Sequence, residues 1–433
     1  MSKIVMECLS VKGDQLFIGG ADVEALAKKY GTPLYIMDEN TIRKNIKEYK
    51  DSLNKYYKGE SLVLYAGKAF CCKQMYKILT DEGIGADLMA GGETYTAQAS
   101  GFDMSKVYIH GNNKTEQEIS MLLDIGVGAI VADNIYELKN IQQIAEQKGI
   151  IAQVLLRVKP GVEAHTHEFI QTGQIDSKFG VAIENGEAIL AAEYASKCPN
   201  INLKGLHCHI GSQIFDYPPF ELAARKCLEF ASLIKSKFGI TIKELNLGGG
   251  IGIKYTQADD PIDISKFIQG ICAAVESNCA RLDLPLPKIL MEPGRSIVAT
   301  SGITVYTIGC VKQIEGVRKY VSVDGGMSDN PRYIMYQSMY EAVRVRKPID
   351  DDTETVRVVG KFCESGDILL PDIKMPELQV GDLIAIEATG AYNYSMSSNY
   401  NRVPRPPVVM VRDGKDYIAI NRESYEDLVK NDA

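Results

Sequence analysis

Several features that would identify common classes of protein are missing from this chain. No pair among its ten cysteines has the CxxC spacing, so the sequence predicts neither a zinc knuckle nor a thioredoxin-like redox motif. No segment offers the ~18 uncharged apolar residues that a membrane-spanning helix needs. Glu7 and Asp14 interrupt the apolar residues near the N-terminus. We therefore expect a cytoplasmic protein that does not enter a membrane.

The chain also lacks an excess of basic residues. Its 48 lysines and arginines and 56 aspartates and glutamates give a formal net charge of −8 at pH 7. Nucleic acids and anionic membranes are bound by positively charged surfaces, so neither is expected as a partner. With 45% hydrophobic and 24% charged residues, the composition is typical of a folded globular protein. A small-molecule substrate is the more reasonable expectation.

A repeating pattern organises the chain from residue 61 to about residue 295. Short apolar runs, typical of buried parallel strands, alternate with longer stretches whose apolar residues recur every three or four positions. The eight runs are SLVLYA, IGADLMA, KVYIHG, GAIVAD, AQVLLRV, LKGLHCHI, ELNLGG and KILMEP. Parallel strands need crossover connections, and eight successive strand–helix units close into a barrel with the helices outside. The sequence therefore predicts an α/β chain with a (β/α)8 TIM-type barrel.

The pattern changes at about Gly302, where helical periodicity gives way to β-rich segments separated by turn residues. These segments are ITVYTIGCVKQI, RKYVSVDGG, TETVRVVGKFC, DLIAIEATGAY, RPPVVMVRDG and DYIAIN. We predict that the barrel, residues 36–295, is followed by a C-terminal all-β domain of sandwich-like or barrel-like form. Residues 1–35 are expected to join residues 296–433 in that second domain.

Lys68 directly follows the first apolar run, in the stretch SLVLYAGKAF. Lysines are almost never buried without a partner, so this one is either a surface residue just beyond the strand or a reactive amine. The ends of the other strands favour the reactive amine, because barrel enzymes place their chemistry where strands lead into helices. The residues at those ends are polar or glycine: Asp87, His110, Asn112, Arg157, His207, His209, Gly248, Gly249, Gly250, Glu292 and Arg295.

Two of these strand ends suit a phosphate group. Gly248 to Gly250 present backbone N–H groups without side chains, and the segment EPGR adds a second turn with Arg295. Loops after strands seven and eight form the usual phosphate site of such barrels. His207 and His209 alternate on one strand, which could ligate a metal or place a ring against an aromatic cofactor. The chain has only five histidines, so stacking fits at least as well, and we predict no metal site.

These features together meet the requirements of pyridoxal 5′-phosphate. That cofactor needs an amine for its aldehyde, backbone amides for its phosphate, a flat face to stack on and an acid for its pyridine nitrogen. Lys68, the two glycine-bearing loops, a histidine and Glu292 could supply them. An ionised Glu292 would keep the pyridine nitrogen protonated, so that the ring withdraws electrons strongly.

A series of motifs resembles the diaminopimelate decarboxylases, which belong to the alanine-racemase-like fold type (fold type III) of pyridoxal-phosphate enzymes. The resemblance covers nearly the whole chain and rests on the number and order of the motifs. They are YAGKA, GADLMAGGE, HGNNKT, RVKPGVEAHTHEFIQTG with KFG, GLHCHIGSQI, LNLGGGIGI, MEPGRSIV, MSDNPRYIMY, and KFCESGDIL followed by GAYNYSMSSNYN. The resemblance implies decarboxylation of meso-2,6-diaminopimelate to L-lysine and CO₂, the last step of lysine biosynthesis.

The resemblance also assigns roles to single residues. Lys68 would hold the cofactor as a Schiff base, His209 would stack on its ring and Glu292 would bind its pyridine nitrogen. Cys363 resembles a proton donor that reaches the neighbouring subunit's site, which implies a homodimer with shared active sites. The other cofactor-binding residues would be Ser212, Gly249, Gly250, Gly294, Arg295 and Tyr392. The substrate would contact Arg295, Arg332, Tyr336, Glu364 and Tyr392.

The charges of these residues bear on the choice of substrate. Arg295 and Arg332 suit a carboxylate at the far end of the substrate, and Glu364 suits an ammonium beside it. meso-Diaminopimelate carries a whole amino-acid group there, whereas ornithine carries only an amine. Two alternatives stay open: a decarboxylase or racemase of the same fold for other basic amino acids, and a catalytically silent relative that binds a partner protein. The presence of Lys68 and Cys363 disfavours the silent relative.

Overall fold

The computed structural model describes residues 4–162, 177–349 and 352–433. The chain forms two compact units. The barrel unit comprises Ile46–Gly252 and Pro261–Gly294, and the β-rich unit comprises Met1–Asn45, Ile253–Asp260 and Arg295–Ala433. The predicted domain boundaries at residues 36 and 295 stay a prediction. The motif RVKPGVEAHTHEFIQTG lies outside the described residues from residue 163 onward.

The N-terminal residues form a small antiparallel sheet, a helix and the first strand of a larger sheet. The first helix begins where Asp22 Oδ1 accepts hydrogen bonds from the backbone N–H groups of Glu24 and Ala25, at 2.8 and 3.1 Å. It ends at Gly31, whose N–H donates to Ala27 O. The elements are β1 (Leu9–Lys12), β2 (Gln15–Ile18), β3 (Ala21–Asp22), α1 (Val23–Tyr30), β4 (Leu34–Asp38) and α2 (Glu39–Tyr56).

All eight predicted apolar runs form strands of the barrel unit. The strands are β5 (Ser61–Ala66), β6 (Gly85–Leu88), β7 (Val107–Ile109), β8 (Ala129–Ala132), β9 (Ala152–Lys159), β11 (Ile201–His207), β12 (Glu244–Asn246) and β13 (Lys288–Met291), with a short β10 (Val181–Ala182) beside β9. Successive strands pair in parallel, β8 pairs with β9, and β13 pairs with β5, which closes the ring. The predicted TIM-type barrel is therefore confirmed.

Helices connect the barrel strands, as the three- and four-residue spacing of apolar residues predicts. They are α3 (Lys73–Glu82), α4 (Gly91–Ala99), α5 (Glu116–Ile125), α6 (Ile135–Lys148), α7 (Glu187–Ser196), α8 (Pro218–Phe238) and α9 (Ile264–Leu282). Strands β5, β7, β8, β9 and β13 contribute one buried apolar cluster: Leu64, Tyr108, Ala129, Val131, Leu155 and Leu290. This packing holds the strand ends, and the polar residues that follow them, in fixed positions.

The β-rich unit is built on one large sheet. Its elements are α10 (Arg295–Val298), β14 (Gly302–Ile314), β15 (Arg318–Val323), α11 (Arg332–Tyr336), β16 (Ala342–Arg344), β17 (Thr353–Val359), β18 (Ile368–Pro376), β19 (Leu383–Ile386), β20 (Val408–Arg412), β21 (Lys415–Ile420) and α12 (Tyr425–Val429). The strand order is β18-β17-β15-β14-β4-β20-β21, and β19 pairs with both β14 and β16. The N-terminal segment contributes β4 to this sheet.

No helix within residues 4–162, 177–349 and 352–433 combines the length and the apolar character that a membrane crossing requires.

Candidate active site

Lys68 lies in a single helical turn, Gly67–Ala69, that follows β5 directly. Its side chain is exposed, whereas Gly67 and Ala69 on either side are buried. Burial raises the pKa of Asp87 to about 7, and the nearby charges of His110 and Lys68 oppose that rise. The amine of Lys68 is thus close to an acid at the end of β6, in the position that the sequence predicts for a reactive lysine.

Glu292 is the centre of a buried polar cluster at the ends of four strands. It follows β13, and its Oε1 lies 2.7 Å from His110 Nε2, just beyond β7. Asn246, the last residue of β12, donates its Nδ2–H to the same oxygen at 2.6 Å. His207, the last residue of β11, places its Nε2 3.1 Å from Oε2. Three nitrogen groups therefore converge on one carboxylate that is 7% exposed.

These contacts keep the carboxylate of Glu292 ionised. Burial alone would raise its pKa, but His110 and His207 hold the pKa well below its usual range. Burial lowers the pKa of His207 to about 3, so its ring is neutral at pH 7. A neutral His207 that donates from Nε2 to Glu292 leaves Nδ1 without a proton, and that buried atom has no hydrogen-bond partner among the described residues. Among the described residues, Glu292 is the only acid within hydrogen-bond distance of the His207 ring.

The cluster also meets the geometric requirement for a metal site, since the ligating atoms of His110, His207 and Glu292 lie within 4.8 Å of one another. The hydrogen bonds at 2.7 and 3.1 Å account for that proximity without an ion. His209 lies two residues beyond His207, past the end of β11, and is half-buried. Burial lowers its pKa well below 6.5, and the charges of Lys68 and Arg157 add to the effect. Its ring is accordingly neutral, which suits stacking on an aromatic ring.

Three backbone segments predicted to hold phosphate are adjacent in the barrel unit. A Cβ added to Gly249 would lie 2.2 Å from the carbonyl oxygen of Glu292, and one added to Gly250 would lie 2.4 Å from that of Gly211. The carbonyl of Gly250 also accepts from the N–H of Ile214 at 2.9 Å, which fixes the loop that carries Ser212. Only glycine fits at such approaches. The glycine loop, the turn that contains Gly294 and the Ser212 loop therefore form one backbone surface.

The N–H groups of Gly249, Gly250 and Gly294 make no hydrogen bond to any described residue. Backbone N–H groups that converge in this way bind anionic oxygens well. Together with the neutral His209 ring, the ionised Glu292 and the amine of Lys68, they fit the four chemical requirements of pyridoxal phosphate. The donor set in the barrel unit is thus the one that this cofactor needs.

A second cluster lies within the β-rich unit, around Arg295 and Tyr392. Arg295 Nη1 donates to Tyr255 Oη at 2.5 Å, and the guanidinium carbon lies 4.8 Å from the centre of the Tyr392 ring. Tyr255 packs edge-on against Tyr340, with 5.2 Å between ring centres. Tyr392 takes a left-handed backbone conformation, φ 66°, and its side chain is half-buried. The guanidinium group of Arg295 is therefore held by aromatic rings and by a phenol oxygen.

Arg332 is the first residue of α11 and is 7% exposed. Its guanidinium carbon lies 5.2 Å from the ring centres of both Tyr336 and Tyr392. Its Nη2 donates a long hydrogen bond to Ser338 Oγ, 3.3 Å, and Nε has no partner among the described residues. No described carboxylate pairs with it. A buried arginine without a counter-ion is costly, so an anionic ligand would relieve it.

Cys363 and Glu364 lie in the loop between β17 and β18, and both are exposed. The loop is fixed by Asp367, whose carboxylate accepts from the backbone N–H groups of Met327, at 2.7 Å, and Phe362, at 2.9 Å. Glu364 accepts a hydrogen bond from Tyr400. Within the motif CESGD, the aspartate thus anchors the loop, and the side chains of the cysteine and the glutamate are exposed.

Three residues of these clusters escaped the sequence analysis. Asn246 is a fully buried amide in the apolar run ELNL, and such a polar residue needs a partner, which is a usable signal. Tyr255 and Tyr340 follow no strand of the barrel pattern and carry no such signal. His110 and His207 were placed at strand ends, but the sequence did not reveal that both contact Glu292.

The family described as pyridoxal-dependent decarboxylase, pyridoxal binding domain, matches residues 39–299 of this chain. Diaminopimelate decarboxylase of Bacillus subtilis is 46% identical over 418 residues, which cover 96% of this chain and 95% of that protein. The enzyme of the same name from Synechocystis is 42% identical over 429 residues, covering 97% and 91%.

Solved structures agree with these relatives. The crystal structure of diaminopimelate decarboxylase from M. jannaschii in co-complex with L-lysine superposes with a TM-score of 0.92, at 34% identity and over 99% of each chain. The matched family covers more than half of this chain, and the relatives match nearly all of it. The chain therefore belongs to the diaminopimelate decarboxylase family of pyridoxal-dependent decarboxylases.

Proposed function

We propose that this protein decarboxylates meso-2,6-diaminopimelate to L-lysine and CO₂ with pyridoxal 5′-phosphate, the last step of lysine biosynthesis. The observation that carries the proposal is the ionised Glu292 at the end of the last barrel strand, beside three glycine-bearing or polar loops and near an exposed lysine. The similarity to diaminopimelate decarboxylases over nearly the full chain supports the choice of reaction.

The cofactor would be held by the residues that the resemblance to this family assigns to it. Lys68 would bond to its aldehyde, the neutral His209 ring would stack on it, and Glu292 would accept a hydrogen bond from its ring nitrogen. When bound, pyridoxal phosphate withdraws electrons from the bond to the departing carboxylate. The phosphate and its surroundings would be contacted by Ser212, Gly249, Gly250, Gly294, Arg295 and Tyr392.

Arg332 and Arg295 would bind the carboxylate at the far end of the substrate. A guanidinium group matches a carboxylate with two parallel hydrogen bonds, and Arg332 is buried without a counter-ion in the free chain. The half-buried Tyr336 and Tyr392 would line the same group. Glu364 would accept from the ammonium beside that carboxylate. The arginines favour a substrate with an amino-acid group at both ends over ornithine.

Cys363 would return a proton from Sγ to the α carbon after CO₂ leaves. The thiol is exposed on a loop that Asp367 anchors, so it is free to meet a second chain. We infer a homodimer in which this loop completes the partner subunit's site. We also propose a cytoplasmic location, as a biosynthetic enzyme would have.

The test is release of CO₂ by the purified protein from meso-diaminopimelate, ornithine and arginine in parallel. We expect release from meso-diaminopimelate only, with L-lysine as the product. Comparable release from ornithine or arginine would assign the chain to another decarboxylase of the same fold. Racemisation of a basic amino acid without CO₂ would reject decarboxylation altogether.

A further inference from the structure

His110 occupies a position that the proposed function leaves unexplained, between two buried carboxylates. Its Nε2 lies 2.7 Å from Glu292 Oε1 and 3.4 Å from Asp87 Oδ1. His110, Asp87 and Glu292 are 8%, 7% and 7% exposed. A single nitrogen atom is therefore in reach of two acids that are both withdrawn from water.

Two buried carboxylates so close to each other do not both ionise unless a cation lies between them, because like charges repel strongly in a medium of low dielectric constant. The other two groups that hydrogen-bond to Glu292 are uncharged. His207 is a neutral imidazole, as its lowered pKa of about 3 indicates, and Asn246 is an amide. Of the groups in direct contact with Glu292, His110 is thus the one that can supply a positive charge.

We propose that His110 is a positioning residue that carries a proton on Nε2 between Asp87 and Glu292, and so keeps Glu292 ionised where the ring nitrogen of the cofactor binds. This inference rests on the proposed function. It also assigns a role to Asp87: its carboxylate stabilises the protonated ring of His110, and that ring stabilises the carboxylate of Glu292.

Other charged side chains surround Asp87, His110 and Glu292, and a test of His110 has to leave them unchanged. Burial lowers the pKa of Arg157, which lies 3.9 Å from Asp133, and this arginine also feels Glu292 and Asp87. The charged or titratable groups around Asp87, His110 and Glu292 are Lys68 after β5, Glu93 on α4, Arg157 on β9, and His207 and His209 at and beyond the end of β11, and Asp133 after β8 faces Arg157. All of them stay in place in the variants below.

His110→Gln tests the charge alone, because the glutamine amide reaches the position of Nε2 and donates a hydrogen bond but cannot become positively charged. We expect Asp87 and Glu292 then to share a proton at neutral pH. The dissociation constant of pyridoxal phosphate, measured by equilibrium dialysis with the apoprotein, should rise about tenfold at pH 6.5 and recover as the pH is raised to 8.5. In the assay, kcat should fall with the same pH dependence, while KM for the substrate changes little.

The double variant Asp87→Asn/His110→Gln separates this role from a merely structural one. Without the second carboxylate, Glu292 has no acid to share a proton with and should ionise again. We therefore expect the double variant to bind pyridoxal phosphate better than His110→Gln does, and to lose the dependence on pH between 6.5 and 8.5. Rescue by a second substitution is not expected if His110 only fills space.

Two outcomes would overturn the inference. One is a His110→Gln protein whose cofactor affinity changes with pH in parallel with that of the wild type. The other is a double variant that binds pyridoxal phosphate no better than His110→Gln does. Neither outcome affects the proposed function, which is tested by the wild-type protein: if that protein binds pyridoxal phosphate but releases no CO₂ from meso-diaminopimelate, the function fails while the role of His110 is still measured by dialysis.

Discussion

The barrel unit and the β-rich unit handle buried charge in different ways. In the barrel unit, Glu292 is surrounded by histidines and an amide, and Lys114 donates to Glu137 at 2.5 Å with both residues buried. In the β-rich unit, the buried Arg332 has tyrosine rings on its faces, and the buried Asp329 accepts from Tyr306 Oη at 2.5 Å. At these positions, the barrel unit places opposite charges or nitrogen donors beside its buried charges, whereas the β-rich unit places phenol rings or a phenol hydroxyl beside them.

This difference indicates what each unit can bind. A carboxylate that already accepts hydrogen bonds from fixed donors stays ionised. Such a carboxylate suits a bound cofactor whose ring nitrogen must stay protonated. An arginine that contacts aromatic faces and neutral hydroxyl groups is well oriented, and it gains most from a ligand that supplies an anion. The barrel unit is accordingly built for the cofactor, and the arginines of the β-rich unit suit an exchangeable carboxylate.

The largest effect is expected from Lys68→Ala, which tests whether the barrel unit holds the cofactor at all. Without the amine, the protein should lose both its absorption near ~420 nm and its decarboxylase activity, by at least ~10³-fold. Lys73→Ala, at the exposed start of α3, is the matched control and should keep both. A Lys68→Ala protein that stays yellow and active would end the proposal.

Arg332→Ala tests the other half of the comparison. Because this residue is assigned to the substrate, its loss should raise KM for meso-diaminopimelate and weaken L-lysine binding by roughly 30-fold, as expected for ~2 kcal/mol from a charged hydrogen bond. The dissociation constant of pyridoxal phosphate should change less than about threefold. Arg332→Lys keeps the charge but not the planar guanidinium group, so its affinity for the substrate should lie between those of the wild type and Arg332→Ala. Equal losses of substrate and cofactor affinity would contradict the assigned role.

Tyr255→Phe removes only the phenol oxygen that holds Arg295 Nη1, and keeps the ring that packs on Tyr340. Loss of one hydrogen bond to a charged group corresponds to ~1.5 kcal/mol, so we expect a roughly tenfold loss in kcat/KM. The control is Tyr95→Phe on α4, where the tyrosine is 70% exposed. If both variants match the wild type in steady-state kinetics, the phenol does not orient Arg295.

Most of the barrel could be predicted from sequence because buried parallel strands leave a strong signal. Each of the eight apolar runs forms a strand, and β12 and β13 pair side by side, as the predicted phosphate site requires. The β-rich unit was predicted less completely. Strand β18 contains Pro371 and Asp372 within an alternating pattern, and β16 has only three residues, so neither stood out from its surroundings.

The single residues of the site divide in the same way. Lys68 and Glu292 could be found because a charged residue after an apolar run is conspicuous. The partners of Glu292 could not, because His110, His207 and Asn246 are separated from it by 182, 85 and 46 residues, and only the pairing of the strands brings them together. The anchoring role of Asp367 likewise depends on contacts with Met327 and Phe362. The contact with Met327 cannot be predicted from the sequence, because the two residues are 40 positions apart.

The last expected effect concerns stability and not catalysis, and it comes from the way in which the β-rich unit buries an acid. Burial raises the pKa of Asp329 from 3.8 to about 7, against hydrogen bonds from Tyr306 Oη and the Gly326 N–H, and the charges of Asp367 and Asp324 add to the rise. Since the folded-state pKa exceeds the unfolded one, its contribution to stability is complete below about pH 4 and is lost as the pH rises through about 7.

Asp329→Asn removes that titration. From urea unfolding at pH 5 and pH 8, we expect the free energy of unfolding of the wild type to fall, relative to that of the variant, by ~2 kcal/mol as the pH rises. Asp51→Asn, on the exposed face of α2, should show no such difference. If the stability of the wild type relative to the variant is the same at both pH values, the Tyr306 phenol and the backbone N–H groups keep Asp329 ionised, as the histidines do for Glu292. The contrast between the two units would then apply to their buried cations but not to their buried acids.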